Sequence, residues 1–347
     1  MRRLPIYFLI DISESMIGEP IEQVENGIAS IVKELKTDPY ALETVWVSII
    51  GFAGKSKVIT PLEDIIAFYP PKFPIGSGTS LSSGLIQLMK SIDNDIVKTT
   101  YERKGDWKPI IFLFTDGIPT DNADQEIDRW NATYRGKSNL VIISIGNNTN
   151  YNLLGKLSDQ VLLFNNTNAN SYKEFFKWIT ASVKATSENI NHTNFDGINL
   201  NKANSDLLEK IDLSKSYQIP DDNFVVLNGK CAQTNKLYLA KFNKSVENSE
   251  ILELQTRVYR SRGAYKIDEN AYQALSNERV FTLKISSEEL YGNPNCPCCG
   301  NPFAIATCIC GGIHCISGDG ENTCPWCGKT GFYGSGEGNF DINRTLG

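Results

Sequence analysis

Asp11, Ser13 and Ser15 stand two residues apart just beyond the apolar run LPIYFLI at residues 4–10. One carboxylate and two hydroxyls are an all-oxygen donor set suited to a hard cation such as Mg²⁺, which takes about six such ligands. Two later stretches can supply more. In the loop GSGTSL, Thr79 follows two glycines, and a second apolar run, IIFLFT at 110–115, ends in Asp116 and Gly117. The candidate Mg²⁺ ligands are therefore Asp11, Ser13, Ser15, Thr79 and Asp116. Glu14, between the serines, is expected to point away from the ion and to add negative charge at the rim. Helix capping explains Ser13 or Ser15 taken singly, but not a second apolar run that also ends in Asp-Gly.

A soft donor set lies at the other end of the chain, where eight of the nine cysteines fall between residues 296 and 327. Cys296-Pro-Cys298-Cys299-Gly300 and Cys324-Pro-Trp326-Cys327-Gly328 are two Cys-x-x-Cys-Gly knuckles. In each, a glycine accepts the positive φ needed beyond the turn. Facing one another, the knuckles would make a Cys₄ zinc site from Cys296, Cys299, Cys324 and Cys327. Cys308, Cys310, His314 and Cys315 between them suffice for a second zinc, or interleave with the knuckles in a cross-braced pattern, and Cys298 is spare. Cys231, alone and far upstream, reads as a small buried residue.

Neither set looks catalytic. A full thiolate shell leaves no open position for water. The two histidines are His192, in a polar stretch, and His314, among the cysteines; no nucleophile–histidine arrangement is evident. A phosphate-cleaving aspartate after the first strand usually has a second carboxylate two residues on, where this chain has Ser13. The expectation is a non-enzymatic binding protein. The alternatives are a metal-dependent hydrolase built on Asp11 and a ubiquitin-ligase-like zinc protein.

Ligands at these positions need elements to carry them. A short apolar run bounded by polar turn residues reads as a buried parallel strand, and ligands of an open α/β sheet bind beyond the carboxyl ends of such strands. Residues 20–36 place Ile21, Val24, Ile28, Ile31, Val32 and Leu35 at helical spacing after Pro20. Strands are expected at 44–53, 140–145 and 161–164, with an edge strand at 57–60. Further helices are expected at 85–96, 124–135 and 172–183, and a loop at 61–80. Tyr172, Phe175, Phe176 and Trp178 in the last helix read as core. The alternation predicts a doubly wound, mostly parallel α/β domain over 1–188. A polar linker over 189–222, with one helical turn near Leu207, leads to a small β-rich unit over 223–290 and a zinc-binding module over 291–347.

The 347-residue chain carries a net charge of −6 and 41% apolar residues. Its C-terminal module has only Lys329 and Arg344 against Asp319, Glu321, Glu337 and Asp341, a poor balance for phosphate, so no nucleic-acid partner is expected. No apolar run approaches the ~18 residues that span a bilayer, and the run near the N-terminus meets Asp11 without a cleavage-site pattern. A membrane partner is not expected. Clustered thiols suggest metal in a reducing compartment, hence a cytoplasmic location. Extracellular adhesion conflicts with both points.

Asp11-x-Ser13-x-Ser15, Thr79 and Asp116-Gly117 resemble the metal-ion-dependent adhesion site of von Willebrand factor A domains, over roughly residues 1–188. The resemblance implies that three loops share one Mg²⁺ and that a partner's carboxylate completes the shell. Glu14 replaces the glycine frequent at that position. The opening MRRLPIYFLIDISESMIGEPIE, TDGIPTD at 115–121 and the terminal Cys-Pro-x-Cys-Gly pair around CICGGIHC are together similar to TerY-type proteins of bacterial tellurite-resistance and stress systems. That likeness implies an adaptor or regulator working beside a serine/threonine kinase and a metal-dependent protein phosphatase.

Overall fold

The computed structural model describes residues 2–145, 149–164, 176–184, 208–211, 223–248, 255–276, 283–334 and 340–345. These fall into two compact units. The first comprises the described residues of Met1–Ile12, Gly18–Phe73 and Thr79–Pro220. The second comprises those of Ser13–Ile17, Pro74–Gly78 and Asp221–Gly347.

The first unit is built on β1 (Leu4–Asp11), β2 (Val45–Phe52), β3 (Ser56–Asp64), β4 (Ile110–Thr115), β5 (Asn139–Ile145), β6 (Val161–Phe164) and β7 (Leu208–Lys210). They form one sheet in the order β3-β2-β1-β4-β5-β6-β7. The five inner strands are parallel, and β3 and β7 close the edges antiparallel. All eight residues of β1 and all six of β4 are buried, as expected of strands covered on both faces.

Alternate side chains serve the two faces. On one, Tyr7 and Leu9 of β1 and Ile111 and Leu113 of β4 share a core with two helices. Leu85 and Leu88 come from α3 (Leu81–Asp95), and Ile127 and Trp130 from α4 (Asp124–Thr133). On the other face Phe8 stacks on Phe112, with ring centroids 5.7 Å apart, and Phe114 stacks on Phe176 at 6.0 Å. Gly27 lies in α1 (Glu19–Leu35) where an added Cβ would fall 1.9 Å from the Phe176 ring. Gly27→Val is expected to cost about 1–3 kcal/mol through overpacking, read from the midpoint of urea unfolding; an unchanged midpoint would show that the ring simply moves aside.

Several expectations change. The edge strand is longer than 57–60 and takes in the first residues assigned to the 61–80 loop, since β3 stays paired to β2 out to Asp64. The helical turn expected near Leu207 lies largely outside the described residues; the adjoining Leu208–Lys210 is a strand that pairs with β6 and satisfies that edge's backbone groups. The short helices α2 (Pro39–Thr44) and α5 (Tyr151–Leu157) were not anticipated. Residues 176–184 are helical, with Phe176 and Trp178 in the core, whereas Tyr172, Phe175, His192 and most of the 189–222 stretch lie outside the described residues.

In the second unit a six-stranded sheet runs β12-β10-β9-β8-β14-β13. Its strands are β8 (Phe224–Lys230), β9 (Leu237–Asn248), β10 (Gln255–Lys266), β12 (Leu290–Tyr291), β13 (Phe303–Thr307) and β14 (Ile313–Ile316). Two pairs accompany it: β11 (Leu283–Ser286) with β17 (Asp341–Arg344), and β15 (Gly320–Thr323) with β16 (Thr330–Tyr333). The boundary drawn at residue 290 therefore cuts through one sheet. Strand β14 of the cysteine-rich segment pairs in parallel with β8, and Val225, Leu227, Phe242, Ile313 and Ile342 share one core. Sequence spacing could not reveal this, because the pairing joins residues more than 80 positions apart. Among the described residues no helix is long and apolar enough to cross a membrane.

Candidate metal centres

Parallel pairing sets Ile10 of β1 against Phe114 of β4, so both strands release their next residues at the same end of the sheet. Asp11 and Asp116 emerge there, 0% and 2% exposed, and the Thr115 hydroxyl donates to Asp11 Oδ2 at 2.7 Å. After β1 the chain makes a single 3₁₀ turn, Glu14–Met16, and the Oγ atoms of Ser13 and Ser15 lie 2.9 Å apart. Thr79, 2% exposed, is tied to the loop after β4: its N–H donates to Thr120 Oγ1 at 3.0 Å, and the Thr120 N–H returns to its carbonyl at 2.8 Å. Two carboxylates buried at adjacent strand ends repel one another unless a cation or protons compensate them. With the Thr79 hydroxyl as a further oxygen donor, the donor types suit a hard divalent ion.

Asp121 was missed in the sequence and is what fastens the Thr79 loop. Its carboxylate accepts the Ser80 hydroxyl at 2.6 Å and the N–H groups of Leu81 and Ser82 at 3.1 and 3.2 Å, at the start of α3. The available signal was its place five residues after Asp116 in TDGIPTD, which needs the α3 terminus beside it to acquire meaning. Asp121→Ala is expected to cost about 1–2 kcal/mol, the loss of a charged cap at a helix N-terminus. Chemical denaturation checks this, and a loss below ~0.3 kcal/mol would mean that Ser80 caps the helix unaided.

Glu14 does not lie at an open rim. It is 0% exposed, Tyr272 donates to its Oε1, and Ser77 donates to its Oε2 at 3.1 Å.

The cysteines group differently from the facing-knuckle arrangement. One cluster is Cys231, Cys296, Cys299 and Cys315, and the other is Cys308, Cys310, Cys324 and Cys327; within each, the sulfurs lie within 4.8 Å of one another. Sulfur separations are 3.6 Å for Cys299–Cys315, 3.9 Å for Cys315–Cys231, 3.7 Å for Cys308–Cys327 and 3.8 Å for Cys310–Cys324. Four sulfurs about 2.3 Å from a tetrahedral zinc stand about 3.8 Å apart. Both clusters fit. The knuckles at 296–300 and 324–328 thus serve separate clusters, which interleave along the chain.

Cys231 is the cluster member the sequence hid. It follows β8 directly, and the β8–β14 register sets Lys230 opposite His314, which brings Cys231 to Cys315. Its turn has the backbone of the other knuckles. The N–H four residues on returns to the cysteine carbonyl, from Asn235 to Cys231, Gly300 to Cys296 and Gly328 to Cys324, each at 2.9 Å. Asn235 adopts φ 57°, where the others have glycines at 81° and 72°. Asparagine tolerates that conformation. With Thr234 where the second cysteine would stand, Cys-Ala-Gln-Thr-Asn does not look like a knuckle.

His314 belongs to neither cluster. Its neighbour Cys315 points to the first cluster, so strand alternation turns the imidazole to the other face. There it lies fully buried, edge-on to Tyr333 with centroids 4.8 Å apart, and its Nδ1 is 3.2 Å from the Cys315 carbonyl. Burial lowers its pKa. Cys298 is in neither cluster. The Cys310 N–H and the Tyr333 hydroxyl draw the Cys308 thiol below its ordinary value, toward the thiolate, the form that binds metal.

Family models match both parts of the chain: the von Willebrand factor type A domain over residues 6–178 and the TerY-C metal binding domain over residues 221–347. Inter-alpha-trypsin inhibitor heavy chain H1 of Sus scrofa is 24% identical over 154 residues, which are 43% of this chain and 17% of that protein. Among solved structures, a von Willebrand factor type A protein from Catenulispora acidiphila is 15% identical over 53% of this chain and 43% of its own, with a TM-score of 0.38. Proximal thread matrix protein 1 from the mussel byssus, solved with a zinc-occupied MIDAS motif, is 16% identical over 54% of this chain and 46% of its own, with a TM-score of 0.37. This chain thus spans less than half the length of each of these three proteins. With a von Willebrand factor type A domain followed by a TerY-C metal binding domain, the chain belongs to the TerY-type proteins.

Proposed function

We propose that the protein is a non-enzymatic adaptor which captures an acidic side chain of a protein partner through a divalent cation. The observation that carries this reading is the position of Asp11 and Asp116, both buried, just past the same ends of neighbouring parallel strands. Asp11, Ser13, Ser15, Thr79 and Asp116 would hold the ion, Mg²⁺ in the cell. A cation so held offers a ligand position that a partner's carboxylate can fill in place of water. The residues of this chain do the rest. The two carboxylates set the charge, the Thr115 hydroxyl orients Asp11, and the Thr79–Thr120 bonds fix the loop that brings the threonine.

The two Cys₄ clusters would hold zinc as structural ions, shaping a module that docks a second partner. Ile309 between Cys308 and Cys310 is 95% exposed, and Trp326 between Cys324 and Cys327 is 41% exposed; tryptophan is a typical interface anchor. Reduced thiols of this kind fit a cytoplasmic location. The partners we propose are a serine/threonine kinase and a metal-dependent protein phosphatase of a stress or tellurite-resistance system.

Affinity purification on the tagged full-length chain, from the native host in Mg²⁺ and in EDTA, tests the reading. Capture of a kinase or phosphatase in Mg²⁺ alone, abolished by Asp116→Ala, is the expected result. The same proteins recovered with EDTA present, or with the variant, would defeat it.

A further inference from the structure

The loop Ser13–Ile17 is part of the second unit. Its single 3₁₀ turn has no side-chain cap, and so short a turn has little stability of its own. Ser13, Glu14 and Ser15 are nevertheless buried. Residues far along the chain hold them. The Tyr272 hydroxyl, from the helix Glu269–Leu275, donates to Glu14 Oε1, and the Ser77 hydroxyl donates to Oε2 at 3.1 Å. Lys241 of β9, 3% exposed, donates from Nζ to the carbonyls of Ser15 and Ile17, the latter at 3.2 Å. Ser276 locks the arrangement: its hydroxyl donates to the Tyr272 carbonyl at 2.5 Å and accepts the Ser77 N–H at 3.0 Å.

A buried carboxylate and a buried ammonium are costly, and apolar residues of similar size often serve stability as well or better. Here both charges converge on the backbone and side chain of one loop. Burial, then the Glu14 charge, raise the Tyr272 phenol, which keeps its proton available for the bond. The loop so held carries Ser13 and Ser15.

We propose that Tyr272 and Lys241, acting through Glu14 and the loop carbonyls, are positioning residues for a divalent cation bound by Ser13 and Ser15. This rests on the metal reading given above. A loop held in place loses less freedom when the ion binds, so the clamp should appear as affinity.

Tyr272→Phe and Lys241→Met in the full-length chain test this, with Lys241→Arg as the conservative variant. Two quantities are read: Mn²⁺ affinity, from the free Mn²⁺ electron paramagnetic resonance signal, and hydrogen exchange of the 13–17 amides in the metal-free protein. Tyr272→Phe and Lys241→Met are each expected to weaken Mn²⁺ binding about tenfold, as for residues that orient metal ligands, and to speed exchange of the loop, while Lys241→Arg retains most of the affinity. Wild-type affinity and exchange in both variants would overturn the proposal, as would weaker binding with unaltered exchange. Wild-type protein that takes up no Mn²⁺, while the variants still loosen the loop, would overturn the metal reading and leave the clamp standing.

Discussion

Replacing Cys231 by serine is expected to lower the zinc content of the purified protein from two ions per chain to about one, whereas Cys298→Ser leaves it at two. Two clusters of four sulfurs are present, Cys231 completes the first, and Cys298 belongs to neither. A serine hydroxyl is a poor substitute for a thiolate at zinc, and Cys296, Cys299 and Cys315 would be left as a three-sulfur set. Binding energy in such modules is folding energy, about 10 kcal/mol or more per structural zinc. A large loss of protection around the β8–β14 pairing should therefore accompany the lost ion. Elemental analysis decides the count. Two zinc ions retained by Cys231→Ser would show that the clusters are not the metal sites.

Asp116→Ala and Asp11→Ala are expected to remove the stabilisation conferred by Mg²⁺ without unfolding the chain. An ion that binds only the folded form contributes about 2.7 kcal/mol at a hundred times its dissociation constant. The wild-type melting transition should rise accordingly between EDTA and saturating Mg²⁺, and that of either variant should stay fixed. In EDTA each deletion relieves the repulsion between two buried carboxylates, while Asp11→Ala also leaves the buried Thr115 hydroxyl without its acceptor, a loss of about 1–3 kcal/mol. A variant that still shifts with Mg²⁺ would mean that the carboxylates are structural.

The sheet and its helices were legible because their signals are local. An all-apolar run ending in Asp at residue 11, another ending at Asp116, and a helical stripe from Ile21 to Leu35 each declare themselves within a dozen residues or so, and parallel strands fix where their ends meet. Asp11 and Asp116 take their places at neighbouring strand ends from that register. The zinc ligands were half legible. Glycine marks the knuckles at 296–300 and 324–328, but the partners of the first, Cys231 and Cys315, come together only through β8 pairing with β14 across more than 80 residues. Cys231 stayed hidden because Asn235 takes the glycine's role and Thr234 that of the second cysteine. His314 misled for the opposite reason: chain proximity to Cys315 counts for little in a strand, where neighbours face opposite ways. Glu14 was placed on a rim because nothing near it in sequence foretells Tyr272 or Ser77.

The most direct test of the account is the position of a divalent ion in crystals of the full-length protein soaked in Mn²⁺, located by its anomalous scattering. The account predicts a peak about 2.1 Å, the separation of a hard octahedral ion, from carboxylate and hydroxyl oxygens drawn from Asp11, Ser13, Ser15, Thr79 and Asp116. A fully Mn²⁺-loaded crystal with density only at other carboxylates, and none between Asp11 and Asp116, would contradict it.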